Sequence, residues 1–293
     1  MPEQGIILKG VGGFYTVRTE NGEMVVCNAR GRFRQEGTTP LIGDKVLVER
    51  QQEGHAAIAD ILPRKNALVR PAVANIDQLV IVLSASKPKA DLLLCDKLIL
   101  AAYPFQIEPL ILCNKSDTSK DGEAEAIVSQ YAPFYQTMVV SAHTGAGLAC
   151  IKAALSGKIS CLAGQSAVGK SSLLNALLPG LSLPVGGLAK KTARGKHTTR
   201  HVELISIGNG AVLDTPGFSL LEPELMDQQM LNNAYREFQG AAKNCRFSAC
   251  AHKSEPDCAV KALVASGQLH KERYARYLEL SEQFEQRRKR IYD

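Results

Sequence analysis

One segment constrains this chain more than any other. Gly164-Gln165-Ser166-Ala167-Val168-Gly169-Lys170-Ser171 fits the pattern G-x-x-x-x-G-K-[ST] at each fixed position. An apolar run over 159–163 leads in, and a helical pattern over 171–178 leads out. The glycines let the backbone curl until successive N–H groups point at phosphate oxygens. The helix N-terminus adds partial positive charge at the same place. In such a loop Lys170 reaches the β- and γ-phosphates, and the Ser171 hydroxyl ligates Mg2+. Gln165, Ser166, Ala167, Val168 and Ser172 complete the cradle.

The surrounding pattern gives that loop a setting. From about residue 72, apolar runs alternate with helical patterns: strands over 79–83, 109–113, 137–140 and 159–163, helices over 91–103, 121–131 and 147–155. This alternation predicts an α/β domain with a mainly parallel sheet covered on both faces. Residues 1–65 instead read as about five short strands, with a hairpin signal at Asn21-Gly22. A small closed barrel of OB type is the expected solution. Arg30, Arg32 and Arg34 fall in a loop of that barrel, where they could touch nucleic acid or simply be solvated. After about residue 222 strands cease. Helices are expected over 224–239, 259–265 and 268–290. The expected division is 1–66, 67–225 and 226–293.

Nucleotide choice is read from Asn114-Lys115-Ser116-Asp117, which follows a strand end. A carboxylate there can accept two donors from guanine N1 and N2. Adenine offers neither, so Asp117 would be left unpaired. The Lys115 stem can pack on the base, and Ser141-Ala142-His143 could place a backbone N–H near guanine O6. Asp214-Thr215-Pro216-Gly217 matches D-x-x-G, with Asp214 toward Mg2+ and the Gly217 N–H toward the γ-phosphate. Between the phosphate loop and this last motif lies 191–199, rich in basic and hydroxyl residues. It suits a switch loop whose Thr198 or Thr199 closes on Mg2+.

The motif order is permuted. GTPases of the Ras type run phosphate loop, switch threonine, D-x-x-G, N-K-x-D, S-A. Here N-K-S-D and S-A-H come first. The segment after D-T-P-G therefore leads directly toward the C-terminal region, and nucleotide state is expected to reach residues 226–293 through that joint.

The cysteines divide. With no signal peptide in view, a cytoplasmic address is expected and disulfides are not. No apolar run approaches the roughly 18–20 residues of a membrane helix. Cys27, Cys95, Cys113, Cys150 and Cys161 lie in or beside apolar runs and are expected to be buried. Cys245, Cys250, His252 and Cys258 cluster, and three thiolates with one imidazole suit one structural Zn2+. Few apolar residues lie nearby in sequence, so metal is expected to supply much of the local folding energy.

The permuted order, G-Q-S-x-V-G-K-S-S at 164–172, D-T-P-G-F at 214–218, the N-terminal barrel and the Cys/His region together resemble the RsgA (YjeQ) family of small-ribosomal-subunit-dependent GTPases. The resemblance spans essentially the whole chain. It implies an OB-fold, a circularly permuted P-loop GTPase domain and a C-terminal helical zinc domain. It also implies GTP and GDP as ligands, and a role in late maturation of the small ribosomal subunit, which stimulates hydrolysis. One departure is Ala167, where the family usually has Gly; binding should survive unless that position needs positive φ.

Ras-type enzymes place a water-orienting Gln just after D-x-x-G. Here that position is Phe218, which cannot orient water. His197 in the switch segment is the nearest candidate, and the G-[RK]-H-T-T pattern of the family points to it; a phosphate or RNA contact, or a merely solvated side chain, is the alternative. A ribosome-bound checkpoint with secondary hydrolysis, and a metal- or redox-sensing regulator, are rival readings. A monomer is expected. The net charge of +6 has no single focus. Its parts (Arg30, Arg32, Arg34; Lys190, Lys191, Arg194, Lys196, Arg200; Arg287-Arg288-Lys289-Arg290) could form three separate rRNA contacts.

Overall fold

The computed structural model describes residues 2–50, 56–69, 71–181, 203–214, 223 and 226–292. Its first strands are β1 (Glu3–Val11), β2 (Phe14–Thr19), β3 (Met24–Ala29), β4 (Lys45–Arg50) and β5 (Ala56–Ile61), with a helical turn α1 (Arg32–Gln35) after β3. Ile7, Val17, Cys27, Val46 and Ile58 are fully buried, one from each strand. β1 pairs with β2 and β4, β2 with β3, β3 with β5, and β5 with β4, so the sheet closes on itself. Closure removes the free edges that a small sheet would otherwise expose.

β1 does a second thing. Its pairing with β2 shifts register between Ile7 and Lys9. Before that bulge its other edge pairs with β4, from Glu3 to Ile6. After it, Lys9 pairs with Glu203 of a later strand. One edge of one strand thus serves the barrel first and the next sheet afterwards, and bulges are the usual device for such a redirection.

A two-stranded ribbon, β6 (Ala67–Leu68) and β7 (Val73–Ala74), leads into the second unit. Its elements are β8 (Gln78–Ser84), α2 (Leu92–Ala102), β9 (Glu108–Asn114), α3 (Glu123–Val128), β10 (Gln136–Val139), α4 (Leu148–Leu155), β11 (Ile159–Ala163), α5 (Lys170–Leu177), β12 (Glu203–Ile207) and β13 (Gly210–Asp214). The strand order is β10-β9-β8-β11-β13-β12, continuing through β1 into the barrel as one eleven-stranded sheet. The first five are parallel; β12 alone runs antiparallel to its neighbour. Every residue of β8 and of β11 is buried. The two-residue period sorts them by face: Leu79, Ile81 and Leu83 pack with Cys95, Leu98 and Ile99 of α2, whereas Val80 and Val82 pack with Ile151, Leu173 and Leu174 of α4 and α5. Asp91 caps α2, its carboxylate accepting from the Leu94 N–H at 2.9 Å.

Some expectations change. Cys150 is exposed, because α4 buries Ile151 and Leu155 and the neighbouring position points elsewhere. The arginine loop contains the turn α1. The helix expected over 121–131 is shortened to α3. The one expected over 224–239 breaks at Tyr235 into α6 (Gln228–Ala234) and α7 (Arg236–Gln239).

α8 (Ala259–Ala265) and α9 (Lys271–Tyr292) complete the chain. The Cys/His region is not poor in apolar partners, as its own stretch implied. Leu231 of α6, Tyr235 between α6 and α7, Phe238 of α7, and Tyr277, Leu280 and Phe284 of α9 bring a core, joined by Leu100 of α2. The rings of Tyr235, Phe238 and Tyr277 lie 4.7–5.1 Å apart between centroids.

This helical unit is fastened to α2 by buried charge. Asp96 of α2 is inaccessible to solvent and faces the guanidinium groups of Arg273 and Arg276 on α9. Arg276 Nε donates to Asp96 Oδ2 at 2.6 Å, and the Tyr131 hydroxyl donates to Oδ1 at 2.6 Å. Arg273 Nε donates to Glu237 Oε1 of α7 at 2.6 Å. Two carboxylates and two guanidiniums therefore balance. Removing one member leaves a buried charge without its partner, which is far costlier than losing an exposed pair. Arg273→Ala is expected to destabilise the protein by about 3–5 kcal/mol in denaturant unfolding. A loss below about 1 kcal/mol, the range of an exposed pair, would contradict this.

Candidate functional site

The C-terminal ends of β9 and β11 carry the nucleotide motifs, and one side chain ties their loops. Asn114, at the end of β9, is buried. Its Nδ2 donates to the Val168 carbonyl in the phosphate loop at 2.9 Å. Its Oδ1 accepts from the Ala142 N–H at 3.0 Å. Lys115 adopts φ +66° and donates from Nζ to the carbonyls of Ala167, at 2.7 Å, and Lys87, at 2.6 Å. The hydroxyl of buried Ser141 donates to Asp117 Oδ1 at 2.5 Å, fixing that carboxylate. The Ser116 N–H donates to the Val140 carbonyl at 3.2 Å. A cavity of about 380 Å³ opens between these groups, lined by Asn114, Lys115, Asp117, Ala142, Gly169 and Ser172.

The phosphate loop depends on glycine at two positions. Gly164 has φ +130°, and a Cβ there would lie 2.3 Å from the Val82 carbonyl oxygen of β8. Gly169 has φ +99°, and a Cβ would meet Asn114 Nδ2 at 2.4 Å. Lys170, the first residue of α5, folds back: Nζ donates to the carbonyls of Gly164 at 2.8 Å and Gln165 at 2.7 Å. Burial holds its ammonium below the ordinary lysine pKa. Ser171 and Ser172 follow in the first turn of α5, partly buried. Ser166 lies in the turn between β11 and α5, and is exposed.

Ala167 sits at φ +64°. The condition under which the alanine would matter is therefore met, since left-handed backbone favours glycine by about 1 kcal/mol.

The remaining site residues are distributed unevenly. Asp214 ends β13, one residue beyond the Cys161–Leu213 pair, beside the strand that runs into the phosphate loop. His197, Thr198, Thr199 and Gly217 lie outside the described residues, as do Lys190, Lys191, Arg194, Lys196 and Arg200. Sequence reasoning missed Thr118, which lines the cavity and shares a hydrogen bond with Ser86 at 2.8 Å. Its position directly after N-K-S-D was the available signal. The carbonyl of Lys87 carries no motif at all. His143, considered only as part of S-A-H, also lines the cavity.

Two of the barrel arginines are engaged within the barrel. Arg30 pairs with Glu49, and Arg32 with Asp60 at 3.1 Å and with the Ala59 carbonyl. Among the described residues no ion pair engages Arg287, Arg288, Lys289 or Arg290 at the end of α9.

The Cys/His cluster assembles tightly. His252 Nδ1 lies 3.6 Å from Cys245 Sγ and 3.4 Å from Cys258 Sγ, and those sulfurs are 3.9 Å apart. All four ligand atoms, with Cys250, fall within 4.8 Å of one another and could hold a metal ion. The Glu255 carboxylate accepts from the N–H groups of Ala251 at 2.7 Å and Lys253 at 2.8 Å, shaping the loop. The Tyr274 hydroxyl donates to the His252 carbonyl at 2.5 Å. Burial pushes the Cys250 thiol up to about 12 and pulls His252 below its ordinary value. A cation at the centre would reverse the thiol shift, because it stabilises thiolates directly. From the backbone at position 167, Ala167→Gly is expected to tighten GDP binding by up to about fivefold, the equivalent of relieving about 1 kcal/mol. Equal affinities by titration calorimetry would show that the loop adopts this φ at no cost.

Comparison with known proteins agrees with this geometry. Residues 61–224 match the RsgA GTPase family, and residues 4–58 match the RsgA N-terminal domain. The small ribosomal subunit biogenesis GTPase RsgA of Caldanaerobacter subterraneus subsp. tengcongensis is 44% identical over 291 residues, covering 99% of this chain and 98% of that protein. The protein of the same name from Halalkalibacterium halodurans is 39% identical over the full length of both. The crystal structure of YjeQ from Thermotoga maritima superposes with a TM-score of 0.85 at 33% identity, covering 97% of this chain and 99% of that one. That of YloQ, a circularly permuted GTPase, gives 0.83 at 34% identity, with 98% and 96% covered. The chain therefore belongs to the RsgA (YjeQ) family of circularly permuted GTPases.

Proposed function

We propose that this protein hydrolyses GTP in the maturation of the small ribosomal subunit, binding the subunit through its rRNA and leaving it after hydrolysis. The observation that carries the nucleotide assignment is the Asn114 clamp with the Ser141-held carboxylate of Asp117 beside it. Asp117 would accept from guanine N1 and N2, and the Lys115 stem would cover the base. The Ala142 N–H is engaged by Asn114, so guanine O6 would share or replace that bond. Lys170 would exchange its two carbonyl partners for β- and γ-phosphate oxygens. Gly164 to Ser172 would wrap the phosphates, and the Gly217 N–H would meet the γ-phosphate.

Ser171, Asp214 and one of Thr198 and Thr199 would hold Mg2+, which neutralises charge on the β- and γ-oxygens. His197 would position the attacking water. Cys245, Cys250, His252 and Cys258 would hold one Zn2+. A tetrahedral site with Zn–S of about 2.3 Å and Zn–N of about 2.0 Å has S–S edges near ~3.8 Å and S–N edges near ~3.5 Å, which supports the assignment. Four protein ligands leave no open position, so the metal's role is structural. In this reading the chain divides at about 66 and 225, acts as a cytoplasmic monomer, and offers Arg287 to Arg290 to rRNA phosphates. No helix among the described residues is long and apolar enough to cross a membrane.

Two substitutions test the reading. Asp117→Asn should lower GTP affinity by about 1–3 kcal/mol while xanthosine triphosphate, which presents the complementary group, binds and is hydrolysed. Loss of binding to both nucleotides would sink the guanine assignment. His197→Ala should leave GTP affinity intact yet remove the stimulation of turnover by small subunits, by about 100-fold or more. Full stimulation in that variant would assign the water to another group.

A further inference from the structure

We propose that Lys9 and Arg18 of the barrel are positioning residues for the nucleotide site, fixing the β12–β13 hairpin and, through it, Asp214. The observation is a row of register partners across three strands. Lys9 on β1 is opposite Glu203 on β12, and Glu203 is opposite Asp214 on β13. Lys9 Nζ donates to Glu203 Oε2 at 2.9 Å. Farther along β12, Arg18 Nη1 donates from β2 to the Ser206 hydroxyl at 2.7 Å.

β13 is secured on one side by β11, from Ile159–Ala211 to Cys161–Leu213. On its other side stands β12, beyond which no further strand of its own unit lies among the described residues. An edge strand of this kind frays most readily, and its fraying moves whatever its partner carries. The barrel supplies the missing neighbour just past the β1 bulge, with one hydrogen-bonded side chain from each of two barrel strands. Both members of the Lys9–Glu203 pair are about half exposed, at 40% and 47%. Such a pair adds little to global stability. Its effect should appear where small displacements matter, at Asp214, the residue that ends β13.

The proposal rests on the reading that Asp214 serves Mg2+, and its test separates the two. The full chain carrying Lys9→Glu and Arg18→Ala is assayed for the Mg2+ dependence of GTP hydrolysis, beside Asp214→Asn. The half-saturating Mg2+ concentration is expected to rise about three- to tenfold in the double variant. GDP affinity in the presence of EDTA should be unchanged, and Ser206→Ala should give a smaller rise. Restoring the pair in reverse, with Lys9→Glu and Glu203→Lys together, should recover most of the effect of Lys9→Glu alone. A merely structural role would lower the melting temperature and GDP affinity together and would not single out Mg2+. If Asp214→Asn raises the Mg2+ requirement but the double variant does not, barrel positioning is overturned. If neither variant raises it, the Asp214 reading has failed and the proposal falls with it.

Discussion

The candidate nucleotide site depends on a single buried amide. Asn114 holds the phosphate loop through the Val168 carbonyl and the 141–143 loop through the Ala142 N–H, while its own backbone begins the N-K-S-D segment. These three loops are far apart in the chain and in permuted order, yet their relative positions are set by strand ends in one sheet. Hydrogen bonds across neighbouring strand ends are indifferent to which strand follows which. Permutation therefore changes the connections and leaves the site. The close approach of Gly169 to the same amide follows: any side chain there would push Asn114 out of reach of the loop it organises.

Two joints hold the outer units to this sheet, and they differ in kind. The helical Cys/His unit is fixed to α2 by Asp96, Arg273, Arg276 and Glu237, buried charges whose disruption is expensive. The barrel is joined by strand continuation, by an apolar core that runs on from Ile7 and Ile58 to Ile76 and Leu79, and by neutral hydrogen bonds such as the Asn75 Nδ2 bond to the Gly43 carbonyl at 3.0 Å. The expected route from D-T-P-G into the C-terminal region passes through residues outside those described. The described attachment of that region runs instead through α2, a helix whose following strand, β9, ends in Asn114, and through Arg236 of α7, which pairs with Glu108 at the start of β9.

Much of this was legible in the sequence because the chemistry sits at strand ends. The phosphate loop, N-K-S-D and D-T-P-G are polar segments that interrupt apolar runs, so residue type and position speak together. The buried strands β8 and β11 announced themselves as continuous apolar runs. What stayed hidden depends on partners remote in sequence. β12 carries Glu203 and Ser206, which look like loop residues until Lys9 and Arg18 are placed beside them. Arg30 and Arg32 looked like a free basic patch until β4 and β5 brought Glu49 and Asp60 to them. The Cys/His stretch looked poor in apolar support because its aromatic core comes from Tyr235, α7 and α9. Cys150 was misjudged because an apolar run does not state which side of a short helix will face the sheet.

The bulge in β1 has a consequence during synthesis. Lys9 and Glu203 are separated by 194 residues. At about 5–20 residues per second, a ribosome making this chain would deliver Glu203 about 10–40 seconds after Lys9. The barrel strands all lie within the first 61 residues and can close long before that. For that interval the second half of β1 has β2 on one side and nothing on the other. The unpaired stretch is short, running only from the bulge to Val11, which limits its use as a template for stray strands. The nascent barrel thus waits with a small open seam, which the last-made strands of the GTPase sheet close.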